Sequence, residues 1–568
     1  MNIQNNTSRR EFIKKSGMGI GGLTIGFGFF HIGGCNSKKE FDTIIKDAFV
    51  FDGLGNPSIE MDIGIKNGKI SAMGQLSGRS AATLLSASGY ALAPGFIDIH
   101  SHTDNELLID PKAQSKIRQG VTTEMVGQDG SSVAPLKEED RQKQHERSMS
   151  DYGVPITWTD FNGFYKQLQQ GGTAVNWMTM LGQGTLRGYV VGLNDRPATE
   201  DEVKEMRRIA LECIDQGIWG ISSGLEYTPG SFANADEIAR VCAVFKKKAP
   251  LYATHMRNED DEVEEALQEA ITIARSAGTG LQVSHLKAQG QRNWHRADKI
   301  LQMLEDARNS GMRIAADRYP YEAYSTGLSS LFPLWSREGG TKKFLERLQD
   351  EEQFKKIRVD IQNKIDRLGN WQAVMISSVQ LEKNLWMLGK RMTEIAQKMG
   401  ENIFECTRDL IVEEENRVGM CGFGMSEENT QKILKHPLVA IASDGSARSI
   451  EGPLSSGHPH PRNFGAFPRI LGKYARDEKL FPLEEAIRKM TSFPASMLGI
   501  IDRGFLKVGA FADLVIFDPD TVADQATFEN PKQYPIGIPY VMVNGEFVIF
   551  EGEHTGRLPG RVLVKNRV

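Results

Sequence analysis

The order of patterns along the chain predicts an α/β protein whose main body is a (β/α)8 barrel of the TIM type. Three observations carry this. Eight short runs rich in apolar and β-branched residues are spread over residues 95–444, most are followed by segments with helical periodicity, and the runs end repeatedly on histidine, aspartate or serine. Alternating strand and helix with eight strands closes a parallel barrel, and a barrel gathers all its strand C-terminal ends on one face.

The strands follow in order. GFIDIH (95–100) leaves a Pro-Gly corner and ends at His100, with His102 one residue beyond Ser101. VTTEMVG (121–127) is followed by Gln128 and Asp129 in a glycine-bounded turn. AVNWMTMLG (174–182) and GIWGISS (217–223) come next, the latter ending on Ser222 and Ser223. PLYATH (250–255) ends on His255, GLQVSH (280–285) on His285, MRIAAD (312–317) on Asp317 and LVAIASD (438–444) on Asp444. Between them, EDEVKEMRRIALECIDQ (200–216) and EDDEVEEALQEAITIARSAG (259–278) repeat apolar residues at three and four, the signature of a helix with one buried face.

Two further regions frame the barrel, which occupies 94–502. Residues 42–74 and the C-terminal GAFADLVIFDP and PYVMVNGEFVIFEGEHTG read as hairpin strands with glycine and asparagine turns. The two chain ends, 36–93 and 503–568, are therefore expected to pair into one small β-sandwich. More than 100 residues separate DRYPYEAYSTG from HPLVAIASDG, too many for one barrel connection. Residues 328–430 are expected to form a helical insertion over the barrel mouth, a candidate substrate lid.

The first 35 residues stand apart. SRREFIKK (8–15) resembles a twin-arginine export signal, the apolar stretch 16–30 is short for a membrane span, and Ile32-Gly33-Gly34-Cys35 resembles a lipoprotein cleavage site. The expectation is export by the twin-arginine route to the periplasm, or to the cell envelope through a lipid on Cys35; membrane contact is expected only through that anchor.

Composition narrows the partners. A net charge of -5 without a basic stripe argues against nucleic acid, leaving a small-molecule or peptide-like ligand as the expected partner. Five cysteines without a CxxC pair indicate neither a disulfide framework nor a thiolate zinc finger.

The strand ends carry the chemistry. In an extended chain the side-chain period is two, so His100 and His102 point the same way and their ring nitrogens converge. An isolated HxH is commonly two surface histidines. Here His255, His285, Asp317, Asp444 and Asp129 occupy corresponding places at other strand ends, and that clustering predicts a metal site.

PGFIDIHSH, QGVTTEMVG, THMRNE, VSHLK, DRYPY, ASDG, HPHPRNFGAFPRILG and ADLVIFDPDTV occur in this order. From about residue 42 to the end, the chain resembles the amidohydrolase superfamily and, within it, the D-aminoacylase (N-acyl-D-amino-acid deacylase) family. The resemblance implies a barrel with a β-sandwich, a site for one or two zinc ions, and hydrolysis of the amide joining an acyl group to a D-amino acid. It places His100 and His102 as paired first-strand ligands, His255 and His285 on the tighter zinc, and Asp444 as metal-linked catalytic carboxylate. Lys287, Tyr319, Ser325 and Arg462 become substrate-binding residues, with Arg448 competing for the role of Arg462. In one place the chain departs from the family: where a cysteine ligand commonly sits in a VGNCG-like turn, this chain has VGQDG, with Asp129 in its place. Asp129 is either a ligand to one ion, a bridge between two, or a turn cap, and an oxygen donor admits other divalent metals such as cobalt or manganese. Competing readings are a related amidohydrolase acting on a dipeptide, cyclic amide or lactone, and a catalytically silent metal-binding barrel. Hydantoinase-like chemistry is disfavoured, because Ser222, Ser223 and Glu226 stand where a carboxylated lysine would be expected.

Overall fold

The computed structural model describes residues 39–565. The export and lipidation signals expected at 1–35 lie outside the described residues. No helix among the described residues is long and apolar enough to cross a membrane.

All eight expected strands are present. Phe96–Asp98, Val121–Val126 and Asn176–Thr179 pair in parallel, in that order. A second parallel sheet runs through Leu181–Gly182, Ile221–Gly224, Leu251–His255, Gly280–Val283, Ile314–Arg318 and Val439–Ile441. One seam between these sheets is crossed where the third strand resumes after Met180, with Trp219 N donating to Thr179 O and Leu181 N to Gly220 O. At the other seam Ser101 bridges Gly445, Asp444 N donates to His100 O at 2.9 Å and His102 N to Gly445 O at 3.0 Å. The bonds that close the barrel therefore also bring His100, His102 and Asp444 together.

These strands form because their residues are buried on both faces; Val121–Val126 is buried throughout. Inside, Ile97, Met125, Met178, Trp219, Ala253, Ala315 and Ala440 fill the lumen. Outside, helix Glu200–Asp215 starts at a Thr199–Glu202 capping box and turns Val203, Met206, Ile209, Ala210, Cys213 and Ile214 inward. Helix Val263–Ala277 ends where Gly278 adopts a φ of 71°. Each buried aliphatic side chain contributes about 1.5–3 kcal/mol, so the amphipathic faces are what hold the helix ring to the strands.

The chain ends pair as expected, in one nine-stranded sheet. Ala91–Pro94 from the N-terminal part pairs antiparallel with Leu514–Phe517 from the C-terminal part. Two of its hairpins turn on Asn-Gly, with positive φ at Asn67 and Gly68 and at Asn544 and Gly545, as a tight primed turn requires. The sheet curls until Ala512 N donates to Gly68 O, enclosing Ile45, Ile63, Leu92, Leu514 and Ile516. The boundary expected at 503–568 needs one correction. Residues 559–565 leave the sheet and bind the barrel, where Leu563 N donates to Trp177 O and Trp219 Nε1 to Leu563 O at 2.7 Å.

The insertion also differs from expectation, being mixed rather than purely helical. Helices Gly340–Gln349 and Glu351–Leu368 pack with a three-stranded antiparallel sheet of Ala323–Gly327, Val374–Ser378 and Gly419–Phe423. It begins five residues before the expected boundary of 328, because AYSTG is already its first strand. Leu331, Phe344, Ile357, Ile361, Ile376 and Met420 belong to a core of its own.

Candidate metal centre and its pocket

Six of the residues read from the sequence meet at the barrel mouth in two groups that share Asp129. His100, His102, Asp129 and Asp444 form one, and Asp129, His255 and His285 the other; within each group the ligand atoms lie within 4.8 Å of one another. Asp129 Oδ2 is 3.5 Å from His102 Nε2, 3.5 Å from His285 Nε2 and 3.7 Å from His255 Nδ1, while Oδ1 is 3.5 Å from His100 Nε2. Asp444 Oδ1 lies 3.0 Å from His102 Nε2, and its Oδ2 accepts from Arg462 at 2.6 Å.

Three of these residues sit in the left-handed backbone region: Asp129 at φ 52°, His285 at 35° and Asp444 at 49°. Each costs about 1–3 kcal/mol, and such strain collects where function needs a side chain aimed against local preference. The turn carrying Asp129 is pinned to the fourth strand. Ser222 Oγ donates to Gly127 O at 2.6 Å and accepts from Gly130 N at 3.1 Å, and a Cβ on Gly224 would stand 2.1 Å from Asp129 O. Glycine is needed at 224 for that approach. Ser222 thus supports the turn, and Ser223 bonds Tyr252 and Thr254; neither faces the ligand groups as a metal-bridging residue.

The charges lock together. Burial alone would depress the His102 imidazole, but Asp129 and Asp444 prevail and hold it up at about 9. Burial likewise opposes ionisation of His255, yet Glu259, Asp129 and Glu226 hold it at about 10. Burial would raise the two carboxylic acids; instead His100 and His285 hold Asp129, and Arg462 with His100 and His102 hold Asp444, well below the usual range. A divalent cation in such a cage replaces the imidazole protons. Two buried atoms aimed into it, His100 Nε2 and Asp129 Oδ1, have no hydrogen-bond partner. Nitrogen and carboxylate donors of this kind suit zinc, so the residues present fit the ion. The four cysteines among the described residues are buried and in neither group.

A cavity of about 450 Å3 opens over the cluster. Lys287, Tyr319, Ser325 and Arg462 all line it, whereas Arg448 does not. Lys287 is only 2% exposed, excluding a plain surface charge, and donates to Glu259 at 2.7 Å. The Tyr319 hydroxyl is buried without a partner. Arg462 holds Asp444, a contact not foreseen from the sequence, and packs over the Tyr319 ring at 4.8 Å.

Asp317, read from the sequence as one of the strand-end residues, accepts from His285 N at 2.8 Å and lies 3.2 Å from His100 Nδ1, so it orients the His100 ring and pins the backbone that carries His285. Other neighbours were not anticipated. The Tyr227 ring packs at a tilt of 59° against His255, with centroids 4.9 Å apart. Lys364 reaches the cavity from the insertion helix, 3.1 Å from Asp260 and 3.8 Å from Glu226. Nothing in its local sequence marks Lys364.

Comparison with known proteins agrees with this arrangement. The amidohydrolase family model matches residues 83–352 and 415–549, and its gap falls within the insertion. A D-aminoacylase of Alcaligenes xylosoxydans xylosoxydans is 35% identical over 530 residues, 93% of this chain and 99% of that protein. A solved D-aminoacylase described by its binuclear metal centre, with one-metal activation and second-metal attenuation, superposes with a TM-score of 0.77 at 34% identity, covering 92% of this chain and all of the other. N-acyl-D-glutamate deacylase from Bordetella bronchiseptica, solved with zinc and a phosphonate mimic of the tetrahedral intermediate, gives 0.78 at 31% identity, covering 93% and 100%. With its two ligand groups at the strand ends and this likeness along nearly its whole length, the chain belongs to the amidohydrolase family, in the branch of the D-aminoacylases and N-acyl-D-amino-acid deacylases.

Proposed function

We propose that the protein is a metal-dependent hydrolase of N-acyl-D-amino acids, releasing a carboxylate and the free D-amino acid. The observation that carries this is the pair of ligand groups meeting on Asp129 at the floor of a pocket whose wall offers Lys287, Tyr319 and Arg462. The relatives' activities and the zinc of the deacylase complex support zinc, as one or two ions; the oxygen donors admit cobalt or manganese too. His255, His285 and Asp129 would hold one ion, and His100, His102, Asp129 and Asp444 a second. A divalent ion there supplies Lewis acidity, lowering the pKa of water from about 15.7 to about 7 and polarising the amide carbonyl.

The other tasks fall to side chains. Arg462 ties up Asp444 Oδ2, so Oδ1 is the oxygen left to face the reacting atoms. Asp444 takes the proton of the attacking water and returns it to the departing nitrogen, acting first as base and then as acid. Lys287 and Tyr319 bind the substrate carboxylate, with Ser325 and Arg462 lining the same cavity, and this binding aligns the scissile bond.

Metal analysis of the purified protein, paired with hydrolysis of N-acetyl-D- and N-acetyl-L-amino acids, tests the reading. At least one zinc equivalent and D-selective cleavage are expected. L-selective or absent cleavage would sink the D-aminoacylase assignment while leaving the metal barrel intact. For location, SRREFIKK and the IGGC stretch support export by the twin-arginine route with lipid on Cys35. Fractionation of wild type and Cys35→Ser should find only the variant released as soluble protein; wild type confined to the cytoplasm would overturn export.

A further inference from the structure

His255 and His285 face a carboxylate that belongs to neither ligand group. Glu259 ends the THMRNE stretch and is 1% exposed. Its Oε1 accepts from Lys287 Nζ at 2.7 Å and lies 3.0 Å from His285 Nδ1; its Oε2 accepts from Gln289 Nε2 at 2.8 Å and lies 3.7 Å from His255 Nε2. Lys287 Nζ in turn is 2.8 Å from that same His285 Nδ1. Two groups thus contest one nitrogen. A neutral imidazole carries one ring hydrogen, so Nδ1 either donates to Glu259 or accepts from Lys287.

The outcome decides the far side of the ring. When Nδ1 keeps the hydrogen, Nε2 presents a lone pair toward Asp129 Oδ2, 3.5 Å away. When Nδ1 accepts from Lys287, the hydrogen sits on Nε2 and the ring cannot ligate. We propose that Glu259 is a positioning residue that couples metal binding to substrate capture: by accepting the Nδ1 hydrogen of His285 it makes Nε2 a metal ligand, and the same arrangement turns the Lys287 ammonium away from Nδ1, toward the substrate carboxylate. Asp317 offers the contrast. It orients His100 through Nδ1 at 3.2 Å but touches no pocket lysine, so it positions a ligand without linking that ligand to substrate. This inference rests on the reading of His255 and His285 as metal ligands.

The test compares zinc affinity, by competition with a chromophoric chelator on the metal-depleted full chain, in wild type, Glu259→Gln, Glu259→Asp and Lys287→Met. KM and kcat on an N-acetyl-D-amino acid are measured at saturating zinc. Glu259→Gln should weaken zinc binding about ten- to a hundredfold and raise KM, with Glu259→Asp recovering part of both. Lys287→Met should raise KM yet bind zinc at least as tightly as wild type, since Glu259 then has Nδ1 to itself. A merely structural Glu259 would not give these opposite signs. Zinc affinity of Glu259→Gln within threefold of wild type, or weakened zinc binding in Lys287→Met, overturns the coupling. Should Glu259→Gln fail to fold, the sign in Lys287→Met alone decides. Wild type that takes up no zinc would refute the metal reading itself, which separates the two failures.

Discussion

The barrel and the insertion build the same pocket from different materials. The barrel supplies His100, His102, Asp129, His255, His285 and Asp444 at or just beyond five strand ends, and the backbone of His100, His102 and Asp444 also closes the barrel. The insertion supplies Tyr324, Ser325, Thr326, Ser330 and Lys364 from one strand, a following turn and a long helix, on a unit with its own core. Side chains that must hold a charge cluster within tenths of an ångström belong on the stiffer element. Apart from Ser325, which stands with the residues that bind the substrate carboxylate, those that meet the variable part of a ligand sit on one that can be rebuilt without disturbing the cluster. Loss of a barrel residue should therefore reduce turnover of every substrate, and loss of an insertion residue should alter the ranking among substrates.

The largest effect is expected at Asp444. Asp444→Asn keeps the shape and an acceptor for Arg462 but removes the base, so kcat should fall about a hundred- to ten-thousandfold. Zinc should remain in the Asp129, His255 and His285 group, as metal analysis of the variant would show. Turnover at the wild-type level would remove Asp444 from the chemistry. Next comes Asp129, where two roles are separable because its φ is 52°. Asn tolerates that backbone and Ala does not, so Asp129→Ala should also lose about 1–2 kcal/mol of stability in thermal melts while Asp129→Asn should not. Both should lower zinc occupancy, since both ligand groups lose their shared carboxylate charge. Full occupancy in Asp129→Asn would show Asp129 to be a turn residue only.

The same division explains what could be read from the chain. Barrel strands are continuous buried runs, and their ends stand out because His or Asp interrupts an apolar stretch, as in GLQVSH and LVAIASD. The Asn67-Gly68 and Asn544-Gly545 turns announce the chain-end hairpins. Contacts made across the barrel leave no such mark. The double membership of Asp129, the grip of Arg462 on Asp444 and the place of Glu259 between two histidines depend on residues 4 to more than 300 positions apart. The insertion hid its sheet for a simpler reason: AYSTG and GMCGF are short and glycine-bearing, with no alternation to betray a strand, beside two long helical patterns.

Lys364 gives the smallest and most discriminating effect. Its side chain is 20% exposed and its ammonium is paired with Asp260, which keeps Arg367 and Asn258 as partners when Lys364 is removed. Glu226 has less reserve: its carboxylate then keeps His255 Nε2, 3.7 Å away, and the field of Arg337, which donates to its backbone oxygen at 3.3 Å. Lys364→Met thus leaves one more negative charge at the pocket wall while touching no residue of either ligand group. Zinc content should match wild type, and kcat on N-acetyl-D-methionine should be little changed. The ratio of kcat/KM for N-acetyl-D-glutamate over N-acetyl-D-methionine should drop about two- to fivefold, the size expected for a partly exposed charge interaction. Equal losses on both substrates, or loss of zinc, would mean that the insertion and the barrel floor act as one element, and the division between them would fail.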